Sequence, residues 1–172
     1  MPDFFSLLDW ESVAATHGRE NLGDSLPVLV YRLMQYGLHD HLAKLFSPET
    51  AQEVLRGAGA LAGKALSENL LDATLPFSQF ISSLQKTLKD LKIGILRMEE
   101  SDLENGNFTM TVSEDLDCSG LPVLGETICY YDEGFIAGAL EAYTGKPFQV
   151  KEIDCWATGD RVCRFHASIV KS

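Results

Sequence analysis

Four cysteines carry the clearest chemistry in this sequence: Cys118, Cys129, Cys155 and Cys163. A thiol can fill a core, pair in a disulfide or, as thiolate, ligate a soft metal. Cys155 and Cys163 lie symmetrically about Gly159. A regular hairpin there sets them opposite each other, with Cα atoms about 4.5–5.5 Å apart. On the last strand Cys163, Phe165, Ala167 and Ile169 share one face, while Arg164, His166 and Ser168 share the other. On the strand before it, Phe148 and Val150 are apolar at even positions, Ile153 and Cys155 at odd ones. A β-bulge between 150 and 153 reconciles the two parities and turns Glu152 to the same side as Cys155. Glu152, Cys155 and Cys163 then converge, and Cys129, near the start of the preceding helix, completes a tetrahedral set of three thiolates and one carboxylate. Packing, zinc, and disulfide or redox chemistry all remain open on spacing alone. Arg161 and Arg164 flank Cys163 and would favour its thiolate, unless they pair with surface acids. Cys118, in the loop Asp117-Cys118-Ser119-Gly120, reads as a bystander.

The elements that must position these groups fall into two halves. Residues 1–91 read as helical. Apolar residues at 26, 29, 30, 33, 34, 38, 42, 45 and 46 follow a helical period, with Gly37 as a point of division. Ser47-Pro48-Glu49 starts a second helix, Pro48 to Leu71, by cap, first-turn proline and dipole. Gly57, Gly59 and Gly63 within it each cost about 1 kcal/mol relative to Ala, tolerable where another backbone packs closely. Phe77 to Leu91 is a third amphipathic stretch. Residues 92–172 read as sheet-bearing. Ile93 to Met98 and Phe108 to Val112 form a hairpin around Asn105-Gly106, a type I′ signal. A loop follows over Leu116 to Leu124. A helix then runs from Glu126 to Tyr143, stopped by Gly145 and Pro147, with Gly134 and Gly138 forming a smooth patch. Phe148 to Trp156 and Arg161 to Val170 form the last hairpin. The expectation is an α+β fold, with N-terminal helices and a mostly antiparallel sheet of two hairpins with an intervening helix. Residues 1–172 form one domain on this reading.

Composition narrows the function classes. The 172 residues carry a formal net charge of −11 and no Lys/Arg cluster, which argues against direct nucleic-acid binding and against a polybasic membrane anchor. The longest apolar runs fall far short of about 18 residues, so no membrane span is expected. Met1 to Trp10 carries acids where a leader peptide carries positive charge, and a cytoplasmic protein is expected.

The run Cys129-Tyr130-Tyr131-Asp132-Glu133-Gly134-Phe135-Ile136-Ala137-Gly138, followed by Cys155-Trp156-Ala157-Thr158-Gly159-Asp160-Arg161-Val162-Cys163-Arg164-Phe165, resembles the 4-vinyl reductase domain family. That family includes sensory domains of aromatic-responsive transcription activators. The resemblance covers roughly Lys92 to Val170, and its specific part is the C-x-x-x-G-D-x-x-C-x-F hairpin. It implies a fold shared with haem-based nitric-oxide sensors and vesicle-tethering subunits, and dimerisation through the helical part. It also implies zinc at Cys129, Glu152, Cys155 and Cys163, whose spacing is similar to that of the zinc ligands in phenol-sensing members. Those members hold the phenolic hydroxyl with a His and a Trp. Phe80 and Phe108 take roughly those places here, so a more apolar ligand is expected. No Y-x-S-x-R haem motif is present, and the activators' ATPase and DNA-binding domains do not occur in this sequence.

The expected function is a sensory or carrier domain for a small hydrophobic or aromatic molecule, acting as a homodimer and passing occupancy to a signalling partner. Structural zinc, with four protein ligands and no open position, would shape the pocket's edge. The expected lining is Phe77, Phe80, Ile81, Phe108, Tyr131, Phe135 and Trp156, between sheet and helices. Two alternatives stand beside it. One is a dimeric scaffold without ligand. The other is an accessory to tetrapyrrole vinyl reduction, against which stands the absence of a dinucleotide fingerprint: Gly57-x-Gly59-x-x-x-Gly63 has the wrong spacing and lies in a helix.

Overall fold

The computed structural model describes residues 9–170. Apart from Asp9 and Trp10, the segment read for a leader lies outside the described residues. Five helices and four strands follow in order: α1 (Trp10–Ala14), α2 (Val28–Leu45), α3 (Pro48–Leu70), α4 (Phe77–Asp90), β1 (Ile95–Asp102), β2 (Asn107–Ser113), α5 (Tyr130–Thr144), β3 (Phe148–Asp154) and β4 (Cys163–Ile169). The strands form one antiparallel sheet in the order β1-β2-β4-β3. The fold is α+β, as expected.

The local signals act as their chemistry requires. Ser47 Oγ accepts from the Thr50 N–H at 3.2 Å, with Pro48 in the first helical turn. Gly145 closes α5 in the left-handed conformation, φ 68°. Gly37 does not divide α2, because one helical glycine costs little beside the packing of the whole element. The first hairpin departs from the type I′ expectation. Asp102 pairs with Asn107, so the loop has four residues, and only Gly106 takes positive φ. Asp102 accepts from both the backbone and the side-chain amide of Asn105, which favours the longer turn.

Helices α3 and α5 interlock through glycine. A Cβ at Gly59 would lie 2.0 Å from the Tyr131 carbonyl oxygen, and one at Gly63 2.0 Å from that of Phe135. In return, a Cβ at Gly134 would lie 1.9 Å from the Arg56 carbonyl oxygen, and one at Gly138 2.0 Å from that of Ala60. The two backbones touch, as the glycine spacing led one to expect. Helix α5 lies on β3 and β4, α4 on β1, and α2 on the outer side of α3. The core between them is tiled by Phe80, Phe108, Phe165, Leu140 and the cysteines, all nearly solvent-free.

Candidate metal centre and adjoining cavity

Each thiol is delivered by a different piece of backbone. Cys129 is the N-cap of α5, and its N–H donates to Glu152 Oε2 at 3.1 Å. Cys155 caps the short 3₁₀ turn Trp156–Thr158 at the tip of the last hairpin, and its sulfur accepts from the Ala157 N–H at 3.4 Å. Cys163 opens β4, opposite Val112. Cys118 sits in the loop after β2, where Asp115 Oδ1 accepts from the N–H groups of Asp117 and Cys118 at 2.8 and 3.2 Å. That loop leaves β2 through Glu114, held at φ 53°.

All four thiols are free, buried, and within 4.8 Å of one another. Cys129 Sγ lies 3.8 Å from both Cys155 Sγ and Cys163 Sγ, and Cys118 Sγ lies 3.1 Å from Cys163 Sγ. Four sulfurs around a tetrahedral zinc, with Zn–S bonds of about 2.3 Å, stand about 3.8 Å apart. The donor set therefore fits a soft tetrahedral ion. Glu152 offers a second sign: its Oε1 is buried and has no hydrogen-bond partner.

The sequence reading is corrected at two points. Cys118 is no bystander, because the Asp115 turn folds its loop back onto the cluster. The bulge in β3 lies at Ile153, between Glu152 and Asp154, so Phe148, Val150 and Glu152 all face inward and Ile153 faces solvent. Glu152 still shares the inner side with Cys155, by a bulge placed later than expected. Arg164 is turned away from the thiols and paired with Glu99 and Asp154.

The thiols share protons unequally. Cys155 collects hydrogen bonds from Cys118, Cys129 and Cys163, then from Ala157, and its thiol is pushed strongly down toward thiolate. Cys129 and Cys163 are pushed up, in each case first through the hydrogen bond with Cys118. Burial, then the neighbouring Cys155 charge, lifts Glu152 to about 8.

Two further groups of acids frame the cluster, and periodicity gave no sign of either. Glu133, fully buried on α5, pairs with Arg56 at 2.5 Å and Lys151 at 3.0 Å and accepts the Glu152 N–H at 2.8 Å. It ties α3, α5 and β3 together beside the metal donors. Asp117, next to Cys118, accepts from Tyr31 and Gln35 at 2.7 and 2.6 Å, linking the loop to α2. The Asp-Leu-Asp-Cys-Ser-Gly run, rich in residues that bond their own backbone, is the one signal that marks this loop as structured.

Against the inner face of β1 and β2 lies an apolar cavity of about 30 Å³, walled by Leu84 and Leu88 of α4, Leu96, Met110 and Val112 of the sheet, and Phe135, Ala139 and Leu140 of α5. Asp115 and Asp132 close one end, and their carboxyl oxygens come within 4.8 Å of Cys129 Sγ. Of the expected lining residues only Phe135 borders this cavity. Phe77, Phe80 and Phe108 instead stack with Tyr143 and Phe148 at centroid distances of 4.6 to 5.8 Å, and Ile81 is buried in the same core. Trp156 caps the far hairpin, donating to the Leu121 carbonyl at 2.9 Å, and Tyr131 is half-buried at the α3 contact. These aromatics reach their partners directly and leave no gap among themselves. A wider surface hollow of about 400 Å³ opens between α2, the start of α3 and residues 121–128.

The family model of the vinyl-4-reductase domain matches residues 108–169, the span that contains all four cysteines. Residues 108–169 are a vinyl-4-reductase domain. Over the whole chain, an uncharacterized protein of Methanocaldococcus jannaschii is 26% identical across 151 residues, covering 88% of this chain and 83% of that one. A solved vinyl-4-reductase family protein from the same organism superposes with a TM-score of 0.64 at 21% identity, covering 87% of this chain and 85% of that one. The phenol-responsive sensory domain of the transcription activator PoxR, solved with phenol, superposes with a TM-score of 0.63 at 14% identity, covering 84% and 75%. The fold also recurs in a trafficking protein particle complex subunit 3 and in an H-NOX protein, at TM-scores of 0.65 and 0.56. The vinyl-4-reductase domain thus sits in the fold expected from its hairpin motif. No described helix is long and apolar enough to cross a membrane.

Proposed function

We propose that this protein is a sensory or carrier domain for a small hydrophobic or aromatic molecule, braced by a structural zinc ion at the thiol cluster. The observation that carries the reading is the juxtaposition of an enclosed apolar cavity with a buried multi-thiol site, joined through Asp115, Asp132 and Cys129. In the same fold, the PoxR domain holds phenol and the trafficking subunit holds covalently bound palmitic acid. The expected ligand set is Cys129, Cys155 and Cys163 with Glu152, the donor whose Oε1 is unpaired. Zinc so enclosed supplies cross-linking rather than catalysis, for no coordination position is left for water. Four free thiols suit the reducing cytoplasm.

The cavity as it stands holds one or two waters, whereas ligand sites run to about 300–1,000 Å³. Ligand entry must therefore swell it. Thermal denaturation against aromatic hydrocarbons and fatty acids tests this. A ligand at 100 times its Kd adds about 2.7 kcal/mol, roughly 5–10 °C for a chain of this size. The shift is expected to vanish in Ala139→Leu, which fills the cavity. A panel without any shift removes the ligand reading and favours the scaffold, the reading to which so small a cavity also lends weight.

A homodimer is part of the proposal. Helix α2 turns Leu29, Leu33 and Met34 to solvent, each 66% exposed, with Leu45 and Phe46 beyond them. Covering such a stripe is the usual role of a partner surface. Sedimentation is expected to give a dimer, converted to monomer by Leu33→Glu. A wild-type monomer across the micromolar range overturns this part. The helical part (1–91) and the sheet-bearing part (92–172) then act as one domain, clamped by the α3–α5 interlock.

A further inference from the structure

Five buried donors crowd a centre that a tetrahedral ion fills with four. Cys129, Cys155 and Cys163 belong to either possible set, so the choice lies between Cys118 and Glu152. The groups that close to within 4.8 Å of one another are the four thiols and the trio Asp115, Cys129 and Asp132, and Glu152 is in neither. One Glu152 oxygen is also committed to the Cys129 N–H at 3.1 Å. That bond orients a ligand's backbone, which is a supporting role. Cys118 Sγ, by contrast, is already in contact with Cys163 Sγ. It needs to move apart by less than an ångström to reach the roughly 3.8 Å edge of a tetrathiolate.

The loop that carries Cys118 is the place where α2 is held. Tyr31 Oη and Gln35 Nε2 donate to the Asp117 carboxylate at 2.7 and 2.6 Å, and Tyr36 Oη donates to the Asp117 carbonyl at 2.7 Å. Arg32 donates to the Leu116 carbonyl at 2.9 Å and the Ser119 carbonyl at 2.8 Å. Among the described residues, every long-range side-chain hydrogen bond from α2 lands on residues 116–119. Away from these bonds, much of α2's apolar surface is exposed.

We infer that the metal is held by four thiolates, Cys118, Cys129, Cys155 and Cys163, with Glu152 outside the coordination sphere, and that Cys118 thereby makes the ion the pin that fixes the 116–119 loop under α2. This rests on the metal reading above but changes its fourth ligand and adds a consequence. Metal occupancy governs how firmly α2 is held. Loss of the ion loosens the loop, and α2 with it, while β3, β4 and α5 stay joined through the sheet and Glu133.

Cobalt(II) serves as the probe, since thiolate-to-cobalt charge-transfer absorption grows with the number of sulfur ligands. The purified chain is titrated beside Cys118→Ser and Glu152→Gln, both near-isosteric. Cys118→Ser is expected to lose about a quarter of the charge-transfer intensity and to bind roughly tenfold more weakly or worse. Glu152→Gln is expected to keep the wild-type spectrum. The reverse pattern, a silent Cys118→Ser and an altered Glu152→Gln, overturns the inference and leaves the metal reading standing. Failure of the wild type to bind cobalt or zinc overturns the metal reading itself. Amide hydrogen exchange over residues 28–45 reads the second half. Exchange is expected to slow on metal binding in the wild type and in Glu152→Gln, and not in Cys118→Ser. Exchange over α2 that ignores metal in the wild type overturns the coupling.

Discussion

Removing the metal is expected to cost this protein more than any single packing defect. Chelation of the wild type, or replacement of Cys129 by Ala, should take bound zinc from about one ion per chain to none. An ion present at a thousand times its dissociation constant contributes about 4 kcal/mol, which corresponds to roughly 8–16 °C in melting temperature for a chain of this length. Chelation is the cleaner arm, because it leaves Cys129 in place and creates no hole in the fully buried site. The effect should also depend on pH. Cys129 and Cys163 are held protonated in the metal-free cluster, while Cys155 is pushed toward thiolate. Binding drives the remaining thiol protons off, so affinity rises with pH and falls as the medium is acidified. Metal content by mass spectrometry and melting curves with and without chelator measure both points. A chain that purifies without metal and melts identically with chelator would sink the proposal.

The second large effect is expected at the α3–α5 contact, where the sign runs against helix propensity. Alanine is favoured over glycine in a helix by about 1 kcal/mol. At Gly57 a new Cβ meets nothing within 4 Å, so Gly57→Ala should raise stability by up to about that amount. At Gly138 the same methyl falls 2.0 Å from the Ala60 carbonyl oxygen, and at Gly63 2.0 Å from that of Phe135. Backbone cannot rotate aside as a flexible side chain does. The helices must separate by more than an ångström and lose contact along the whole seam. Overpacking of this kind costs about 1–3 kcal/mol and occasionally more. Gly138→Ala should therefore melt about 5–10 °C below the wild type, and Gly57→Ala slightly above it. Equal melting temperatures for the two variants would show that the seam can yield.

Much of this is readable from residues alone because the signals are local. Ser47-Pro48 caps α3, Gly145 ends α5, and the odd-numbered face of β4 carries Cys163, Phe165 and Ala167 inward. The paired glycines announce a close helix contact, although nothing in their spacing says which helices meet. What escapes is set by tertiary closure. Cys118 lies in a loop without periodicity, and only the Asp115 turn and the α2 hydrogen bonds carry it to the other thiols. The bulge at Ile153 falls later than strand parity suggests, because an exposed isoleucine, 52% accessible, looks like a core residue by type. The aromatic lining differs from expectation for a related reason. Packed core and ligand pocket demand the same apolar side chains, and only their mutual distances reveal whether a void remains between them.

The glycine seam also limits how a guest molecule could be admitted. With the two backbones in contact, α5 has no play toward α3, and the sheet beneath it is tied by continuous hydrogen-bonded ladders. The remaining wall is α4, which meets the chamber only through side chains such as Leu84 and Leu88. Any breathing of the chamber must therefore be an outward swing of that one helix, a door hung on an unyielding frame.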